Sequence, residues 1–409
     1  MQAAALEIFE NVQARGFAAV AGYSQKFDGV EITSDSVAVK EKELLEAWAS
    51  LSDDEREAML EMKSRISSFA RLQKEALKPI VQISGEGQTS LVFKPVQRVG
   101  IYVPAGRAPL FSSLFMAALP AIEAGAQEIV VCTPPGKNGS ADRFVLAAAK
   151  MCGIKKVFKI GGAQAIAAMA FGLEGIFEQA DVICGPGNAY VNAAKMAAAG
   201  RGIRIDVPAG PSEVLVIADE TANAAFAAAD MLAQAEHGED SAALCICKDR
   251  ETAEKIAKQL ESQLSALPQS NAAWKSIPKW GRIWFASGTA QATDAANMVA
   301  VEHLELMVKD AGAIVPKISN AGAIFAKTAE AFCDYGMSGG NHILPTGAAA
   351  RSWGGVSVQT FGKWVYVECI SGKAQAQLAK KTALLARMEG LEAHARAAEQ
   401  RKEPKRVEK

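Results

Sequence analysis

The stretch Lys156-Val-Phe-Lys-Ile-Gly-Gly-Ala-Gln-Ala-Ile-Ala167 joins a short apolar run, two glycines and an alanine-rich segment. The same order returns in Asp181-Val-Ile-Cys-Gly-Pro-Gly-Asn-Ala-Tyr-Val191. Each stretch predicts a buried strand, a tight turn and a helix. Repetition of strand, small-residue turn and helix is typical of a parallel α/β sheet with right-handed crossovers. The middle of the chain is therefore predicted to be an α/β domain.

The same rhythm extends outward from these two stretches. Glu128-Ile-Val-Val-Cys-Thr133 is a further apolar run, and Pro134-Pro135 stops it. After Pro208-Ala-Gly-Pro211, more runs with strand character follow at residues 213–218, 242–247, 283–286 and 313–316. A helix that contains Gln234 and His237 separates the first two of these. The sequence therefore predicts a second α/β unit.

We predict an α/β fold with two Rossmann-like parallel-sheet domains, a helical N-terminal region and a small C-terminal helical tail. Apolar residues recur at helical spacing within residues 1–80, and the chain from about residue 373 is charged and rich in alanine. We place a discontinuous domain at residues 1–101 plus 211–355. An inserted domain occupies residues 102–210, and a tail domain occupies residues 356–409.

The composition excludes several classes of protein. The 409 residues exceed one ordinary core, and 44 lysines and arginines nearly balance 45 aspartates and glutamates. Such a balanced charge argues against nucleic-acid binding. We expect no signal peptide at the start of the chain, and the least polar long stretch, Ile160–Leu173, is too short to span a bilayer. Seven cysteines without regular spacing argue against a disulfide framework. We expect a cytoplasmic protein that binds no membrane.

The four histidines all lie beside carboxylates or amides. Their contexts are Gln234-Ala-Glu-His237, Glu302-His303, Asn341-His342 and Glu389-Gly-Leu-Glu-Ala-His394. Imidazole binds metals and moves protons near neutral pH. A chain that uses so few histidines, each in a polar motif, is predicted to use them for chemistry.

Gln234 and His237 would share one face of a helix, so both could reach one metal ion. Asp334 could add an oxygen ligand, and His394 could reach the site from the same or a neighbouring subunit. Mixed nitrogen and oxygen ligands suit a catalytic zinc. A polar end on an amphipathic helix would explain Gln234 and His237 equally well.

The neighbours Glu302 and His303 offer two bases for different proton transfers. An ion pair at a helix end is the alternative.

Two glycine turns could bind a phosphate. Gly161-Gly-Ala-Gln164 and Gly185-Pro-Gly-Asn188 follow predicted strands and precede helices, which is where α/β sheets bind ligands. Neither turn has the spaced three-glycine pattern of dinucleotide sites, and tight turns alone would also need these glycines. The turns suggest a nucleotide without requiring one.

Several longer motifs occur together in one order along residues 10–400. They are Val99-Gly-Ile-Tyr-Val-Pro104, Gly161-Gly-Ala-Gln164, Gly185-Pro-Gly-Asn188, Ile205–Asp219, Gln234-Ala-Glu-His237, Glu302-His303-Leu304, Asn341-His-Ile-Leu-Pro-Thr346 and Glu389-Gly-Leu-Glu-Ala-His394. With these motifs the chain resembles the histidinol dehydrogenase family.

The resemblance implies a zinc-dependent homodimer with shared active sites. Such an enzyme oxidises L-histidinol to L-histidine through the aldehyde and reduces two NAD⁺, as the last step of histidine biosynthesis. Residues 102–210 would bind NAD, and residues 1–101 plus 211–355 would carry the zinc and the acid–base pair. Residues 356–409 would make dimer contacts and reach the partner's active site.

The resemblance also implies roles for individual residues. The zinc ligands would be Gln234, His237, Asp334 and His394 of the partner subunit. His303 would take the alcohol proton, and Glu302 would activate water. Substrate would contact Ser112, Ser212, Gln234, His237, His303, Glu330, Asp334, His342, Glu389 and His394. NAD would contact Tyr102, Gln164 and Asn188.

Some features depart from the family's usual form. The loop from Asp334 to His342 is one residue longer, and the chain after His394 is charged. A related dehydrogenase of another small polar alcohol, such as an amino alcohol or a sulfonated diol, therefore stays open. A zinc hydrolase that uses Glu302 as its base, or a catalytically silent α/β binding protein, are alternatives of other classes.

Overall fold

This structure, a computed structural model, describes residues 2–84, 87–105, 109–208 and 210–402. The chain divides into two units, which are described separately. One is formed by Met1–Lys74 and Val96–Phe361, and the other by Glu75–Pro95 and Gly362–Lys409. Within the described ranges, no helix combines the length and apolar character that crossing a bilayer requires.

Helices and strands alternate through most of the chain. The strands are β1 (Ile80–Ser84), β2 (Gly87–Pro95), β3 (Arg98–Tyr102), β4 (Glu128–Thr133), β5 (Lys156–Lys159), β6 (Val182–Cys184), β7 (Arg204–Ile205), β8 (Glu213–Ala218), β9 (Ala242–Cys247), β10 (Arg282–Phe285), β11 (His303–Met307), β12 (Ala323–Ala326) and β13 (Gly362–Ile370). The helices are α1 (Gln2–Arg15), α2 (Phe17–Phe27), α3 (Glu41–Ala49), α4 (Asp53–Ala76), α5 (Phe111–Ala124), α6 (Arg143–Met151), α7 (Gly162–Phe171), α8 (Ala189–Ala199), α9 (Ala224–Ala235), α10 (Arg250–Ala266), α11 (Ala273–Trp280), α12 (Thr289–Val299), α13 (Ala311–Ile314), α14 (Ala331–Asp334), α15 (Gly372–Met388) and α16 (Glu392–Glu399). Short 3-10 helices lie at Val315–Lys317, Ala349–Arg351 and Val358–Phe361.

The first sheet of the larger unit has the strand order β5-β4-β3-β6-β7, with all strands parallel. Val99, Ile101 and Ile183 are completely buried, as expected for central strands of a parallel sheet covered on both faces. The direction of chain progression reverses between β3 and β6. The carboxyl ends of these two strands therefore flank the crevice in which such sheets bind ligands.

The second sheet repeats this arrangement with the order β10-β9-β8-β11-β12. Its strands are also parallel. Alternate residues of β8 enter different cores because successive side chains of a strand point to opposite faces. Val214 and Val216 pack in the core that contains Met231 of α9. Leu215 and Ile217 pack in the core that contains Ala296 of α12.

The first two helices pack with helices of the first sheet. Phe9 of α1 and Val20 of α2 share a core with Ile166 of α7 and Val191 of α8. The grouping of residues 1–101 with residues 211–355 stays a prediction, and helices α1 and α2 pack in the core of the first sheet. The predicted boundary at residue 101 cuts β3, which is the central strand of the first sheet.

The strand expected at residues 313–316 is wrong. Residues 311–314 form α13, and a 3-10 helix with Pro316 follows. Asp310 caps α13 by accepting a hydrogen bond from the N–H of Ala313, and this local cap favours a helix over a strand. The strand that completes the second sheet is β12, ten residues later.

The smaller unit combines a sheet with two helices. Its antiparallel sheet has the order β1-β2-β13, and α15 packs against α16. The predicted tail domain at residues 356–409 contains β13 and both helices but lacks β1 and β2. This pairing could not be predicted from local sequence patterns, because nearly 270 residues separate β2 from β13.

A buried ion pair lies beneath the turn that follows β6. Lys195 of α8 and Asp206 form this pair, and both side chains are at most 1% exposed. The Lys195 ammonium donates to the carbonyl of Gly185 at 3.1 Å, and the Asp206 carboxylate accepts from the Gly185 N–H at 2.7 Å. Both backbone groups of one glycine are therefore held by charged partners, which give the stronger kind of hydrogen bond.

Two buried acidic side chains interact, one from a strand of the second sheet and one from α9. Glu305 of β11 and Asp230 of α9 are both buried, and Glu305 also accepts the N–H of Glu330 at 3.2 Å. Burial raises the pKa of Glu305, and the negative charges of Asp230 and Glu330 raise it further. Burial raises the pKa of Asp230 as well. The pair therefore favours a state in which one carboxyl keeps its proton.

Replacement of Lys195 by methionine should leave the Asp206 carboxylate buried without its cation. We expect a loss of about 3–5 kcal/mol in the free energy of unfolding, measured by urea denaturation. The double variant Lys195→Met/Asp206→Leu should recover part of this loss because it removes both charges. Lys156→Met, which breaks the exposed pair with Glu128, serves as the control and should cost less than about 1 kcal/mol. Equal losses in the two single variants would refute a special role for the buried pair.

Replacement of Glu305 by glutamine should flatten the dependence of stability on pH. Because the pKa of Glu305 is raised in the folded state, its stabilising contribution is complete below the unfolded value of about 4.3 and is lost as the pH rises. The free energy of unfolding of Glu305→Gln should therefore fall less between pH 6 and pH 9 than that of the wild type. Glu254→Gln, at an exposed pair, is the control. Parallel curves for the wild type and Glu305→Gln would contradict the raised pKa.

Candidate active site

The predicted acid–base residues lie at the amino edge of the second sheet. Glu302 precedes β11, and His303 is its first residue, paired with Val214 of β8 and Ala323 of β12. Both side chains are buried. This edge is opposite to the carboxyl edge at which parallel sheets usually bind ligands.

His303 lies among carboxylates. Its Nδ1 is 3.3 Å from the carbonyl oxygen of Glu213 and 3.5 Å from Oε2 of Glu302, and its Nε2 is 3.6 Å from Oδ1 of Asp334. Burial alone would lower the pKa of His303, but Glu302, Asp334 and Glu330 outweigh this effect and raise the pKa well above its usual value. The site therefore stabilises the imidazolium, which is the form that results when His303 accepts a proton.

Glu213 is a site residue that the sequence analysis did not select. Its backbone N–H donates to Oε2 of Glu302 at 3.0 Å, and its own carboxylate accepts from Gly347 at 3.2 Å. Burial, followed by the charge of Glu302, raises the pKa of Glu213 to about 7. A usable signal was present, since Glu213 is the only acid in an otherwise apolar strand and directly follows Ser212.

The predicted metal ligands Gln234 and His237 do not share a helix face. Helix α9 ends at Ala235, so Gln234 is buried in its last turn while His237 lies exposed beyond its end. The N–H of His237 donates to the Gln234 carbonyl at 3.2 Å and keeps the two residues in one turn. The structure thus brings them together by a turn rather than by helical periodicity.

Asp334 is the centre of several charge interactions. Burial would raise its pKa, but the nearby His303 outweighs this effect and lowers the pKa, with smaller contributions from the imidazoles of His342 and His237. Three buried atoms here have no hydrogen-bond partner in the described ranges, namely Oε1 of Gln234, Oδ1 of Asp334 and Nε2 of His303. Unpaired buried polar atoms are rare in native proteins, and an ion or a substrate is an ordinary explanation for them.

These donors fit a cation such as zinc. Among the residues described, no three histidine, cysteine, aspartate or glutamate side chains form a cluster with metal-ligand spacing. The expected set takes only His237 and Asp334 from these residue types in the larger unit, together with the amide of Gln234. This finding is therefore compatible with the set, whose nitrogen and oxygen donors suit zinc.

His342 is neutral and fixed by two hydrogen bonds. Its Nδ1 lies 2.7 Å from the Asp334 carbonyl and donates to it, so Nε2 accepts from Oγ of Ser113 at 3.0 Å. Burial lowers the pKa of His342. The predicted substrate residue Ser112 is buried one position earlier on α5, and Ser113 is a second residue that the sequence analysis missed.

Glu330 and Ser212 complete the predicted residues of the larger unit. Glu330 is fully buried, and neither carboxylate oxygen has a hydrogen-bond partner in the described ranges. Burial raises the pKa of Glu330 to about 8, while the nearby His303 opposes this shift. Ser212 is half-buried at the start of β8, where its carbonyl accepts the N–H of Ala242.

The predicted cofactor residues flank the crevice of the first sheet. Tyr102 ends β3, and its hydroxyl accepts the N–H of Gly162 at 3.1 Å. Gln164 is buried in the first turn of α7. Asn188 is exposed and caps α8 by accepting the N–H groups of Tyr190 and Val191. The two glycine turns are thus the starts of helices, as predicted.

Glu389 and His394 lie in the smaller unit. Glu389 ends α15, and His394 is part of α16. Both line a groove of about 450 Å³ between these helices.

Comparisons with known proteins agree on one family. The family model of histidinol dehydrogenase matches residues 1–402. A histidinol dehydrogenase from Xanthomonas euvesicatoria pv. vesicatoria is 42% identical over 393 residues, which cover 95% of this chain and 90% of that relative. One from Parasynechococcus marenigrum is 41% identical over 396 residues, or 96% of this chain and 89% of the relative. The crystal structure of histidinol dehydrogenase from Elizabethkingia anophelis matches with a TM-score of 0.92 and 38% identity, covering 98% of this chain and 92% of that one.

These matches span nearly the whole chain, so they apply to both parallel sheets and to the motifs at their edges. The resemblance stated from the sequence is confirmed, and the α/β fold class is confirmed with it. The chain belongs to the histidinol dehydrogenase family and is an oxidoreductase.

Proposed function

We propose that the protein oxidises L-histidinol to L-histidine through L-histidinaldehyde, with NAD and zinc as cofactors. The observation that carries this proposal is the setting of His303. The buried imidazole lies between the carboxylates of Glu302 and Asp334, beside an oxygen of Gln234 that has no hydrogen-bond partner in the described ranges. A neutral His303 would accept the proton of an alcohol, which an oxidation requires, and these carboxylates would stabilise the imidazolium that forms.

The proton chemistry follows from this geometry. In the first step His303 takes the hydroxyl proton while a hydride leaves the carbinol carbon, and the alcohol becomes an aldehyde. In the second step Glu302 takes a proton from the water that attacks the aldehyde, and a second hydride leaves. NAD⁺, when bound, supplies the acceptor for each hydride, so two NADH form for each histidine.

The zinc ligands would be Gln234, His237, Asp334 and His394 of the partner subunit. Zinc, when bound, would orient the amino and imidazole nitrogens of the substrate and act as a Lewis acid. The Gln234 oxygen supports this assignment because its burial is costly without a hydrogen-bond partner, and the Asp334 carboxylate offers a second, anionic oxygen.

The remaining substrate contacts would come from Ser112, Ser212, Glu330, His342 and Glu389. The unpaired Glu330 carboxyl supports this role, since a ligand with positive charge or N–H groups would stabilise its ionised form. The fixed tautomer of His342 would present a constant face to the ligand.

NAD would bind at the carboxyl edge of the first sheet, in contact with Tyr102, Gln164 and Asn188. The reversal of strand order between β3 and β6 supports this position. The N-termini of α7 and α8 would face the pyrophosphate, and their helix dipoles would favour its negative charge.

A homodimer with shared sites is part of the proposal. The smaller unit exposes apolar side chains that a monomer would leave in water, among them Ile83 at 77%, Tyr366 at 71% and Met388 at 75%. Patches of this kind are typical of interfaces. A dimer contact there would bury them.

The central test measures how many NADH molecules form for each molecule of L-histidinol consumed. Purified protein loaded with zinc should consume L-histidinol and form two NADH for each molecule, with histidine as the product, because both oxidation steps occur before release. The ratio is measured by absorbance of NADH together with chromatography of histidine. Binding of NAD without turnover of histidinol would instead favour a related dehydrogenase, to be tested with amino alcohols and sulfonated diols. A protein that does not bind NAD would refute the proposed function.

A variant at His237 tests whether zinc binding can be lost without loss of the fold, and the same assay measures its turnover. His237→Asn should lose zinc and turnover but keep the melting temperature of the zinc-free wild type, because the ring is exposed. Asp240→Asn, in the same turn, is the control and should keep its metal. Full zinc content in His237→Asn would contradict the assignment of His237 as a zinc ligand.

Mixing two inactive variants tests the shared site. Gln234→Ala and His394→Ala subunits, mixed one to one, should regain up to about a quarter of the wild-type activity, because about half of the dimers are mixed and each holds one intact site. The rate of NADH formation is measured after the subunits have exchanged. The absence of any recovery, with exchange verified by mass spectrometry, would argue that each chain builds its own site.

A further inference from the structure

We infer that Asp28 binds the hydroxyl groups of the adenosine ribose of NAD and makes the enzyme discriminate against NADP. This inference rests on the proposed NAD site and adds the residue that selects between the two cofactors. Asp28 follows α2, far in sequence from both glycine turns.

The first sheet lacks the acid that such sheets usually provide. In dinucleotide-binding folds an aspartate or glutamate about 20 residues after the glycine turn binds the ribose, near the end of the second strand. The corresponding strand here is β4, which lies beside β3 in the sheet. It ends at Thr133 and continues as Pro134-Pro-Gly-Lys-Asn-Gly-Ser140, which contains no carboxylate.

Asp28 places a carboxylate at this position from another part of the chain. A Cβ built on Gly161 would lie 3.2 Å from Oδ1 of Asp28 and 2.7 Å from Cβ of Pro134. The Asp28 side chain thus meets the ends of β4 and β5 at the carboxyl edge of the sheet. Its charge also contributes, after burial, to the raised pKa of the Tyr102 hydroxyl.

The carboxylate has room for further donors. Oδ2 accepts from Oγ of Ser24 at a long 3.3 Å, and no side chain or backbone group of the described ranges is recorded as a donor to Oδ1. Burial raises the pKa of Asp28, as expected for a carboxylate with too few donors. A ribose offers two adjacent hydroxyls that donate to one carboxylate. The 2′-phosphate of NADP offers negative charge instead, which Asp28 would repel.

Glycine at position 161 lets the turn pack closely against Pro134 and the Asp28 carboxylate, because any side chain there would clash with Pro134. The neighbouring Gly162 donates its N–H to Tyr102, a predicted cofactor contact. Asp28 therefore faces the part of the edge where the cofactor is proposed to lie.

The test compares the affinities of both cofactors in the zinc-loaded enzyme. We expect Asp28→Ala to raise the Kd of NAD by about 10- to 100-fold, because charge-assisted hydrogen bonds are lost. The ratio of the NADP and NAD dissociation constants should shrink by at least the same factor. The KM of NAD should rise while kcat changes little, since the adenosine half lies away from the hydride. Calorimetric titration and steady-state kinetics provide these values.

Three further variants separate binding from structure. Asp28→Asn retains the shape and should still weaken the preference for NAD, because it removes the repelling charge. Ser24→Ala removes the recorded partner of Asp28 and should leave the preference for NAD in place. Asp35→Asn, an exposed change of the same charge, should leave both constants unchanged.

Two results would overturn the inference. A wild type that binds NAD, together with Asp28→Ala and Asp28→Asn proteins whose ratio of constants stays within about twofold of the wild type, would refute the role of Asp28 alone. A wild type that binds neither cofactor would refute the proposed function, and the inference with it.

Discussion

The cost of burying carboxylates around one imidazole is the constraint on which the site depends. Glu302, Glu330 and Asp334 all act on His303, and Glu213 is held beside them. Like charges out of water repel, so each acid must find a cation, a donor or a proton. His303 and backbone N–H groups supply some of these partners. Within the described ranges the rest are missing at Gln234, Glu330 and Asp334, which is where ligands are proposed to bind.

The two sheets share one strand order but serve the site with opposite edges. The first sheet offers its carboxyl edge, where Tyr102 and Gly185 lie side by side. The second sheet offers its amino edge, where Glu213 and His303 begin neighbouring strands. The loop with Asn341 and His342 connects the second region to α5, because Asn341 donates to the Met116 carbonyl and Ser113 donates to His342. The proposed cofactor site and the proposed acid–base site would thus meet across one loop.

Sequence patterns predicted most of the two sheets, because buried parallel strands have an uninterrupted apolar signature. The predicted runs at residues 128–133, 213–218 and 242–247 coincide with β4, β8 and β9. The pattern failed where local and distant effects compete. Residues 313–316 are apolar enough for a strand, but the Asp310 cap and Pro316 favour helical turns. The pairing of β2 with β13, and the packing of α1 on α7 and α8, depend on contacts that periodicity does not encode.

The candidate site was predictable from motifs rather than from spacing. Gln234 and His237 stand three residues apart, yet the helix ends between them, so the reason first given for their proximity is wrong. Glu213 and Ser113 were missed because each lies next to a more familiar motif residue. The amino edge itself could not be predicted, since the general rule for parallel sheets points to the other end of the strands. The family resemblance selected Gln234 and His237 without relying on helix geometry, because a motif carries the outcome of folding rather than its causes.

The ion pair beneath Gly185 has a consequence for how this segment can change over evolution. Lys195 and Asp206 hold the two peptide units on either side of the Gly185 Cα, one from a helix and the other from the end of a strand. An insertion or deletion anywhere between residues 185 and 206 would rotate the lysine away from the glycine or shift the aspartate along the strand. The segment should therefore keep its length even where its surface residues vary, and a change at either charged position should be tolerated only when the other changes with it.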